Sequence, residues 1–480
     1  MTDTAMTDTA TTDPDPALDA NGIVQKLRAT FATGVTRPAA WRREQLEGLY
    51  RLFVEGEEEL VEALRLDLGR PRLEAFVGDI GHAKGELRYL AKHVERWMKP
   101  TKVKVPALAA PGRAAIQPEP LGVALVIAPW NYPIQLLLEP MAAALAAGNC
   151  VVGKPSELAP ACSAAIVRLV PRYVDGDAVT IVEGGVAATT ALLDERWDHI
   201  FFTGSTNVGR VVAEAAAKHL TPTTLELGGK SPCYVHSSAD LGVAARRIVW
   251  GKFLNAGQTC IAPDYVLVDR AVRDDLVAEL KDKVHDAFGA DPARSDSYGR
   301  IVNERHLGRL RGLLDAEGSG AVVTGGPAPG GVAGGDRYLA PTVVVEPDPG
   351  GPLMSEEIFG PILPVLAVDG PQGAIDFVNA RPKPLALYAF SGEDEPVDAV
   401  LAGTSSGGVC VNQTLMHLLP PELPFGGVGD SGDGAYHGKA GFDRFSHHKS
   451  VLRKPTRPDL KLLYPPYSKL AEKLVSKLLR

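Results

Sequence analysis

The tetrapeptide GQTC, residues 257–260, contains the side chain best suited to covalent chemistry in this 480-residue chain. Cys260 follows a glycine-containing turn between a predicted helix and a predicted strand, where its sulfur can face a cleft. The backbone N–H of Cys260 would then be free to donate to a negatively charged oxygen. A lone cysteine is more often an inert buried side chain. By itself GQTC leaves both interpretations open.

A carboxylate, Glu226, lies near the end of a predicted strand, two residues before the pair Gly228 and Gly229. Open α/β sheets gather ligands and catalytic groups at the carboxyl ends of their strands. Only one predicted helix separates Glu226 from Cys260, so both side chains can line one crevice. The alternative, favoured when this segment is considered alone, is a solvated carboxylate beside a glycine turn.

The segment APWNYP, residues 128–133, also follows a predicted strand. Pro129 and Pro133 stiffen it, and a rigid segment would hold the Asn131 amide as a donor for a developing oxyanion. Asparagine in a turn bounded by prolines is more often structural. The presence of GQTC in the same chain favours the functional interpretation.

The segment FFTGSTNVGR, residues 201–210, has the pattern of a strand, a glycine turn and the start of a helix. Gly204 and Gly209 would allow a pyrophosphate to approach the helix N-terminus closely. The motif is only a relaxed form of the dinucleotide fingerprint GxGxxG, and such turns often simply connect a strand to a helix. Alone it is weak evidence for a nucleotide.

The segment GKPSE, residues 153–157, ends another predicted strand. Lys154 could donate to ribose hydroxyls and Glu157 could accept from them. The alternative, favoured without other evidence, is an exposed loop followed by a helix capped by Ser156.

The segment EEIFGPILPV, residues 356–365, places two carboxylates and an aromatic ring before a strand. Glu357 could hold a second ribose, and Phe359 could pack against a cofactor. The alternative is an acidic solvated turn with Phe359 in the core. Histidines cluster only at 447–448, without metal-ligand spacing, so we expect no metal.

The elements that must position these residues follow from hydrophobic spacing. Helical periodicity between residues 37 and 70, and again from 91 to 98, predicts an opening group of helices. Residues 101–120 predict an exposed hairpin, in which Pro118 and Pro120 argue against a central strand. From Leu121 onward, short apolar runs alternate with Ala-rich helices, the pattern of a doubly wound α/β sheet buried on both faces.

The same pattern divides the chain into segments. Residues 23–100 and 119–228 form a first α/β domain, to which the glycine-rich 418–440 returns, and 229–417 form a second. Residues 441–480 contain a strand-like stretch and a short basic helix, and 325–335 read as a surface loop. Residues 1–22, rich in Thr, Asp and Ala, are expected to be disordered.

The composition fits a large globular protein in a reducing compartment. The chain has a formal charge of -8, which argues against nucleic acid as a partner. Five cysteines without a CxxC spacing argue against a disulfide framework or zinc ribbon. Neither a signal peptide nor an apolar stretch of ~20 residues is visible, so the expected location is cytoplasmic.

Six segments in this order, APWNYP, GKPSE, FTGSTNVG, LELGGK, GQTC and EEIFGP, resemble the aldehyde dehydrogenase superfamily. GQTCIAPDY and GAYHGKAGFDRFSHHKSVL are similar to its class 3 branch, the fatty and aromatic aldehyde dehydrogenases. The resemblance implies that the first domain is a Rossmann-type NAD-binding domain and that the second is the catalytic domain. Residues 101–118 and 441–480 would form a small β oligomerisation element and a tail.

The resemblance also implies a role for each motif. Cys260 would be the nucleophile and Glu226 the general base, while Asn131 and the Cys260 backbone N–H would form the oxyanion hole. Contacts to the cofactor would come from Trp130, Lys154, Glu157, Thr203, Gly204, Ser205, Gly209, Glu357 and Phe359. The implied reaction oxidises a medium- or long-chain aliphatic or an aromatic aldehyde to the acid, through a thiohemiacetal and a thioester.

The expected cofactor is NAD, with NADP as the alternative, because Glu157 would accept from a ribose 2′-OH and repel a 2′-phosphate. A homodimer through 101–118 and 444–453 is implied. The tail SKLAEKLVSKLLR is expected to pack on its own subunit or the partner, and attachment to an anionic membrane surface is the less favoured alternative.

Two other functions are weighed against this one. Family members that pass the acyl group to coenzyme A commonly lack an acid at the position of Glu226, and its presence therefore favours hydrolysis over an acylating or reductive activity. A catalytically idle structural or binding protein on the same fold is disfavoured by intact Cys260, Glu226 and Asn131.

Overall fold

The computed structural model describes residues 18–317, 320–325, 336–459 and 463–479, and it shows an α/β protein with three sheets. The helices are α1 Ala20–Thr33, α2 Ala39–Glu55, α3 Glu57–Leu68, α4 Arg72–Ala75, α5 His82–Trp97, α6 Gln135–Ala147, α7 Pro160–Leu169, α8 Val186–Leu193, α9 Thr206–Ala217, α10 Leu241–Phe253, α11 Arg273–Phe288, α12 Glu304–Ala316, α13 Pro352–Ser355, α14 Gly370–Asn379, α15 Asp394–Gly403, α16 Gly438–Arg444 and α17 Lys469–Leu478. The strands are β1 Thr101–Val103, β2 Arg113–Pro120, β3 Val123–Ile127, β4 Cys150–Lys154, β5 Val179–Ile181, β6 His199–Gly204, β7 Thr223–Leu227, β8 Pro232–Val235, β9 Tyr265–Asp269, β10 Ala321–Thr324, β11 Thr342–Val345, β12 Ile362–Val368, β13 Ala386–Phe390, β14 Gly408–Val411, β15 Gly432–Asp433 and β16 Ser446–Arg453.

The first sheet has the strand order β15-β7-β6-β3-β4-β5. Its strands are parallel except β15, which pairs antiparallel with β7. β3 and β4 are completely buried, as strands between two helical layers must be. Helix α6 is also buried along its whole length, which explains its uniformly apolar, Ala-rich sequence. This arrangement confirms the predicted α/β fold.

The second sheet has the order β10-β11-β12-β9-β8-β13-β14 and is parallel apart from β10. Its strands all lie between residues 232 and 411, within the segment predicted as the second α/β domain. The first and second sheets each pack against their own helices, in separate hydrophobic cores. The exact domain boundaries remain a prediction.

The first helix starts earlier than the predicted disordered segment allows. α1 begins at Ala20, and the Asp19 side chain accepts the backbone N–H of Gly22 at 2.8 Å. Val24 and Leu27 of this helix are buried in the core of the first sheet. The prediction of disorder is therefore wrong for residues 20–22, and residues 1–17 lie outside the described part of the chain.

The third sheet has the order β1-β2-β16 and contains the predicted hairpin. β2 is its middle strand, so the expectation that Pro118 and Pro120 exclude a central position is wrong. β1 pairs only with residues 114–116, and beside residues 117–120 the strand has β16 alone. The two prolines are two residues apart, so their nitrogens face the same, open side and no ladder bond is lost.

Two further expectations concern the chain termini and loops. The predicted basic tail helix is present as α17, which lies beside the Ala107–Ala109 turn of the hairpin. The predicted loop at 325–335 lies outside the described residues except for Gly325. In the part of the chain that is described, no helix has both the length and the apolar character needed to cross a membrane.

Candidate active site

Cys260 lies on a strained turn between α10 and β9. Asn255, Ala256 and Gly257 precede it with φ of 52°, 52° and 75°, a left-handed conformation that non-glycine residues adopt only at a cost. Gly257 is also required by space, because a Cβ there would lie 2.3 Å from the carbonyl oxygen of Gly360. The turn leaves Cys260 partly exposed at a cleft.

Two cavities meet at the cysteine. Thr203, Glu226, Leu227 and Cys260 line both of them. The first cavity is otherwise mainly apolar, with walls that include Tyr132, Leu136, Trp250, Leu254, Ile261, Leu415, Met416, Leu418, Leu419 and Phe425. The second is more polar and is lined further by Pro129, Trp130, Asn131, Gly204, Ser205, Thr206, Asn207, Gly228, His306, Arg309, Glu356, Glu357 and Phe359. The structure thus brings Cys260 and Glu226 together, as the sequence predicted.

The Glu226 carboxyl is buried, and neither of its oxygens has a hydrogen-bond partner among the described residues. Burial raises its pKa well above the ordinary value of 4.5, opposed only by the charge of Arg444. A carboxyl without a partner that faces a cavity is a poor structural element but a suitable proton acceptor for a water in that cavity.

The surroundings of Cys260 disfavour its thiolate. Burial, followed by the charges of Glu357 and Glu226, raises the pKa of the thiol to about 12. The backbone N–H groups of Cys260 and Ile261 face the sulfur and act in the opposite direction. These N–H groups are fixed donors beside the reacting atom, as an oxyanion hole requires.

Asn131 is buried beside this turn. Its Nδ2 donates to the carbonyl oxygen of Gln258 at 3.1 Å. An amide nitrogen carries two hydrogens, and this bond uses one of them. Asn131 also lines the polar cavity together with Cys260, so the structure places the predicted oxyanion donor beside the predicted nucleophile.

Glu357 and Phe359 form one wall of the polar cavity. A Cβ on Gly228 would lie 2.0 Å from the Glu357 carboxylate, so the glycine makes room for this side chain. Burial and the charge of Asp264 raise the pKa of Glu357 to about 8, partly offset by the Gly229 N–H. The Phe359 ring meets Trp130 edge-on, with 5.3 Å between ring centroids.

The start of helix α9 opens into the same cavity. Thr203, Gly204 and Ser205 line it, and the Ser205 hydroxyl caps the helix by accepting from Val208 N at 3.4 Å. Gly209 does not line the cavity, but a Cβ there would lie 2.6 Å from Leu227 of β7. Gly209 therefore lets α9 pack closely on the sheet, which directs the helix N-terminus toward the cleft.

Lys154 and Glu157 lie at the end of β4 and are not among the residues that line the polar cavity. They pair with each other, with 2.9 Å between Lys154 Nζ and a Glu157 oxygen. The alternative interpretation, in which Ser156 caps the next helix, is wrong. α7 begins at Pro160, and the Ala161 and Cys162 N–H groups donate to Asp67. A capping group from a distant helix leaves no local sequence signal.

Several residues of the site were not found from the sequence. His306 and Arg309 of α12 line the polar cavity, and the buried Arg70 contacts the segments on both sides of Cys260. None of them stands in a motif, and their charged or ring side chains are typical of surface positions. The described residues contain no group of three or more His, Cys, Asp or Glu side chains that could hold a metal ion.

A doubly wound sheet, a helix N-terminus at its cleft and a cysteine beside that cleft define a class of protein, the dinucleotide-dependent dehydrogenases. Comparison with known sequences makes the assignment specific. The aldehyde dehydrogenase family matches residues 4–451. The chain belongs to the aldehyde dehydrogenase family.

Curated relatives confirm the class 3 branch. The mouse "Aldehyde dehydrogenase, dimeric NADP-preferring" is 46% identical over 452 residues, which cover 93% of this chain and 97% of the relative. The rat "Aldehyde dehydrogenase family 3 member A2" is 46% identical over 447 residues, or 93% of this chain and 91% of the relative.

Solved structures agree with the fold. The substrate-bound state of Staphylococcus aureus AldH has a TM-score of 0.92 and 41% identity, and the match covers 96% of this chain and 99% of that one. An indole-3-acetaldehyde dehydrogenase in complex with NAD+ has a TM-score of 0.83 and 27% identity, with 92% and 89% covered. The chain is accordingly an NAD(P)-dependent enzyme that oxidises an aldehyde to the carboxylic acid.

Proposed function

We propose that Cys260, Glu226 and Asn131 carry out this oxidation in the cleft between the two cavities. The observation that supports the proposal most directly is that Cys260 and Glu226 line both the apolar and the polar cavity. A substrate in the first cavity and a cofactor in the second would meet at the sulfur.

In the first step the Cys260 thiol loses its proton to water in the cleft, the thiolate so formed attacks the aldehyde carbon, and a C–S bond forms. The negative charge moves to the aldehyde oxygen, where the second Asn131 hydrogen and the Cys260 backbone N–H would stabilise it; one such donor typically contributes ~3 kcal/mol. The tetrahedral carbon then loses hydride and becomes a thioester. NAD or NADP, when bound, supplies the carbon that accepts this hydride.

In the second step Glu226 takes a proton from water, the resulting hydroxide attacks the thioester, and the C–S bond breaks to release the acid. The Glu226 oxygens have no partner among the described residues, so they are available for this water. In its ionised form Glu226 accepts this proton, and its raised pKa makes that ionised form a stronger base than an exposed carboxylate. Hydrolysis, rather than transfer to coenzyme A, is the proposed fate of the thioester.

The residues present fit a dinucleotide. The space beside Gly228, the helix N-terminus at Ser205 and the carboxyl group of Glu357 line one continuous cavity, consistent with a pyrophosphate at the helix and a nicotinamide ribose at Glu357. Lys154 and Glu157 would hold the adenosine ribose. For this chain we propose NAD as the preferred cofactor, because Glu157 would repel a 2′-phosphate.

The walls of the first cavity favour an apolar substrate. They are formed mainly by Leu, Ile, Met, Trp, Phe and Tyr side chains, and such a lining binds hydrocarbon better than charged groups. We propose medium- or long-chain aliphatic or aromatic aldehydes as substrates.

The assay that tests this function follows reduced cofactor at 340 nm with hexanal, dodecanal and benzaldehyde. We expect turnover by the wild type with NAD, none by Cys260→Ala, and free acid as product even when coenzyme A is added. Turnover that survives in Cys260→Ala, or acyl-coenzyme A as the product, would overturn the proposed mechanism.

We propose a homodimer for the assembled protein. β16 is the outer strand of the third sheet, and its other edge is unpaired among the described residues. An exposed edge of this length is normally covered in natural proteins, here by the partner's sheet. The five free thiols are consistent with the proposed cytoplasmic location.

The tail helix α17 leaves Leu470, Leu474 and Leu478 at 66%, 39% and 44% exposure, while Ala471 is buried. We propose that these leucines pack in the assembled dimer, with an anionic membrane surface as the disfavoured alternative. Arg480 lies outside the described residues. Deletion of 468–480 should leave co-sedimentation with anionic vesicles unchanged, and a loss of vesicle binding would instead favour the membrane.

A further inference from the structure

Arg70 is the most completely buried arginine near the site, with 1% of its surface exposed, and it lines neither cavity. Its guanidinium is paired with Asp79, which is also fully buried. A buried guanidinium has a high desolvation cost unless several groups compensate for it. The identity of those groups indicates what Arg70 does.

The first group is the loop that carries the oxyanion donor. Arg70 Nη2 donates to the backbone carbonyl of Asn131. Asp79, held by Arg70, accepts the backbone N–H of Ile134 at 3.1 Å and of Gln135 at 2.9 Å. Arg70 and Asp79 therefore fix both the Asn131 peptide and the start of the helix that follows it.

The second group is the turn that carries the cysteine. Arg70 Nε donates to Asn255 Oδ1 at 3.3 Å, and Asn255 Nδ2 donates to the carbonyls of Asn131 at 3.0 Å and Gln258 at 3.2 Å. The Asn255 backbone N–H donates to Glu74 at 2.9 Å, which supports its left-handed conformation. Asn255 thus connects the two segments, and Arg70 orients it.

A third contact leads to the residue before the nucleophile. The Arg70 guanidinium lies over the Tyr132 ring, 4.5 Å from its centroid. The Tyr132 hydroxyl is 2.7 Å from Thr259 Oγ1. Arg70 is therefore connected to both sides of the cleft by short, buried contacts.

We propose that Arg70 is a positioning residue for the oxidation, which sets the Asn131 amide relative to Cys260 through the Asn131 carbonyl, Asn255 and Tyr132. The inference rests on the proposed function, since it assigns Arg70 a role through the oxyanion donor. An error of about 1 Å in such a donor costs roughly 100-fold in rate.

The test is a double-mutant cycle on the first burst of reduced cofactor, with Arg70→Met and Asn131→Ala combined. We expect Arg70→Met to slow the burst by about 100-fold in the wild-type background. In the Asn131→Ala background, where the Asn131 amide that Arg70 positions is absent, the same change should slow it by about threefold or less. Equal effects in both backgrounds would overturn the proposal.

A matched control comes from Arg42, which is also buried and donates to the carbonyls of Thr36 and Ala146 away from the site. Arg42→Met should change the burst rate by less than about twofold, even if it lowers stability. Alkylation of Cys260 by iodoacetamide forms no oxyanion, so its rate should be similar in Arg70→Met and wild type. Loss of alkylation, or a burst slowed equally in Arg42→Met, would indicate a merely structural role.

Asn255→Asp provides the test if Arg70→Met does not fold. Aspartate has nearly the same shape and tolerates the left-handed conformation, but it removes both donations to the Asn131 and Gln258 carbonyls. We expect Asn255→Asp to slow the burst strongly in the wild-type background and only weakly in the Asn131→Ala background. Equal effects in both backgrounds would overturn the proposal. Cys260→Ala is the control for the proposed function in the same assay. A burst that survives this change overturns the proposed function itself, not only the role of Arg70.

Discussion

Two carboxyl groups, Glu226 and Glu357, lie near the Cys260 thiol, and each disfavours the thiolate when it is ionised. Glu357→Gln removes one of these charges, so the pKa of Cys260 should fall. At pH 9 we expect alkylation by iodoacetamide to become about three- to tenfold faster. Glu356→Gln is the matched control, because this neighbour is exposed and paired with Arg309, and it should leave the rate unchanged.

The isolated carboxyl of Glu226 should also affect stability. Its pKa is raised in the folded state, so the folded chain keeps a proton that the unfolded chain loses above about 4.5. The free energy of unfolding must then decrease as pH rises above that value.

Glu226→Gln replaces this carboxyl with a group that does not titrate, so the folded and unfolded chains no longer differ in proton binding at this position. Its stability should fall less steeply than that of the wild type between pH 5 and 8, by up to ~1.4 kcal/mol per pH unit. Thermal unfolding across this range measures the difference, with Glu47→Gln at an exposed position as control. Parallel curves for wild type and Glu226→Gln would contradict a partnerless, buried Glu226.

At the level of helices and strands, a buried charge cluster joins α5, α6 and the glycine-rich segment 418–440. Glu139 of α6 lies 2.7 Å from His82 Nδ1 and 3.5 Å from His437 Nε2. Burial would lower the pKa of His82, but the charge of Glu139 outweighs it and raises the pKa to about 9. Burial would raise the pKa of Glu139, but His82 and His437 lower it to about 2.

The pH range of this stabilisation follows from the two shifts. The His82 contribution is complete below 6.5 and is lost as pH rises toward 9, whereas the Glu139 contribution is complete above 4.5 and is lost as pH falls toward 2. Glu139→Gln should therefore destabilise the protein most between pH 4.5 and 6.5, by ~3 kcal/mol, and less at pH 9.

Thermal unfolding at pH 5.5 and pH 9 measures this dependence. Glu95→Gln breaks an exposed pair with Arg43 and should cost less than ~1 kcal/mol at either pH. A Glu139→Gln effect that is equal at both pH values would show that the cluster is not charged as described.

Sequence alone predicts those features of the fold and site that are determined by residues near one another in the chain. The alternation of strands and helices is predicted, and the motif residues that line the cavities lie in or beside the turns that join strands to helices, because apolar spacing and glycine turns are local signals. The capping of α7 by Asp67, the position of Pro118 in a middle strand and the burial of Arg70 could not be predicted in this way. Each depends on a segment far away in the chain: Asp67, the short β1, or the turn at Asn255.

For the assembled protein, the register of the third sheet identifies the hydrogen-bonding edge. Pro118 and Pro120 pair with His448 and Ser446, so these pairs exchange no ladder bonds, and the alternate positions of β16, including Ser450, point their N–H groups away from β2. Ser450→Pro should remove one outward donor and leave the bonds to β2 intact.

We expect Ser450→Pro to shift the protein from dimer toward monomer in sedimentation velocity, with helix content unchanged by circular dichroism. Ser450→Ala, which keeps the N–H, should remain dimeric. Val451→Pro would instead break a bond to β2 and unfold the edge. A fully dimeric Ser450→Pro would contradict pairing through this edge.

The division of labour between Cys260 and Glu226 is tested most directly by a single turnover of Glu226→Gln with aldehyde and NAD, followed by the intact mass of the protein. This division of roles predicts a burst of about one reduced cofactor per subunit, little further turnover, and an acyl group on Cys260 that is absent in Cys260→Ala. Undiminished turnover in Glu226→Gln, or a burst without an adduct on Cys260, would contradict it.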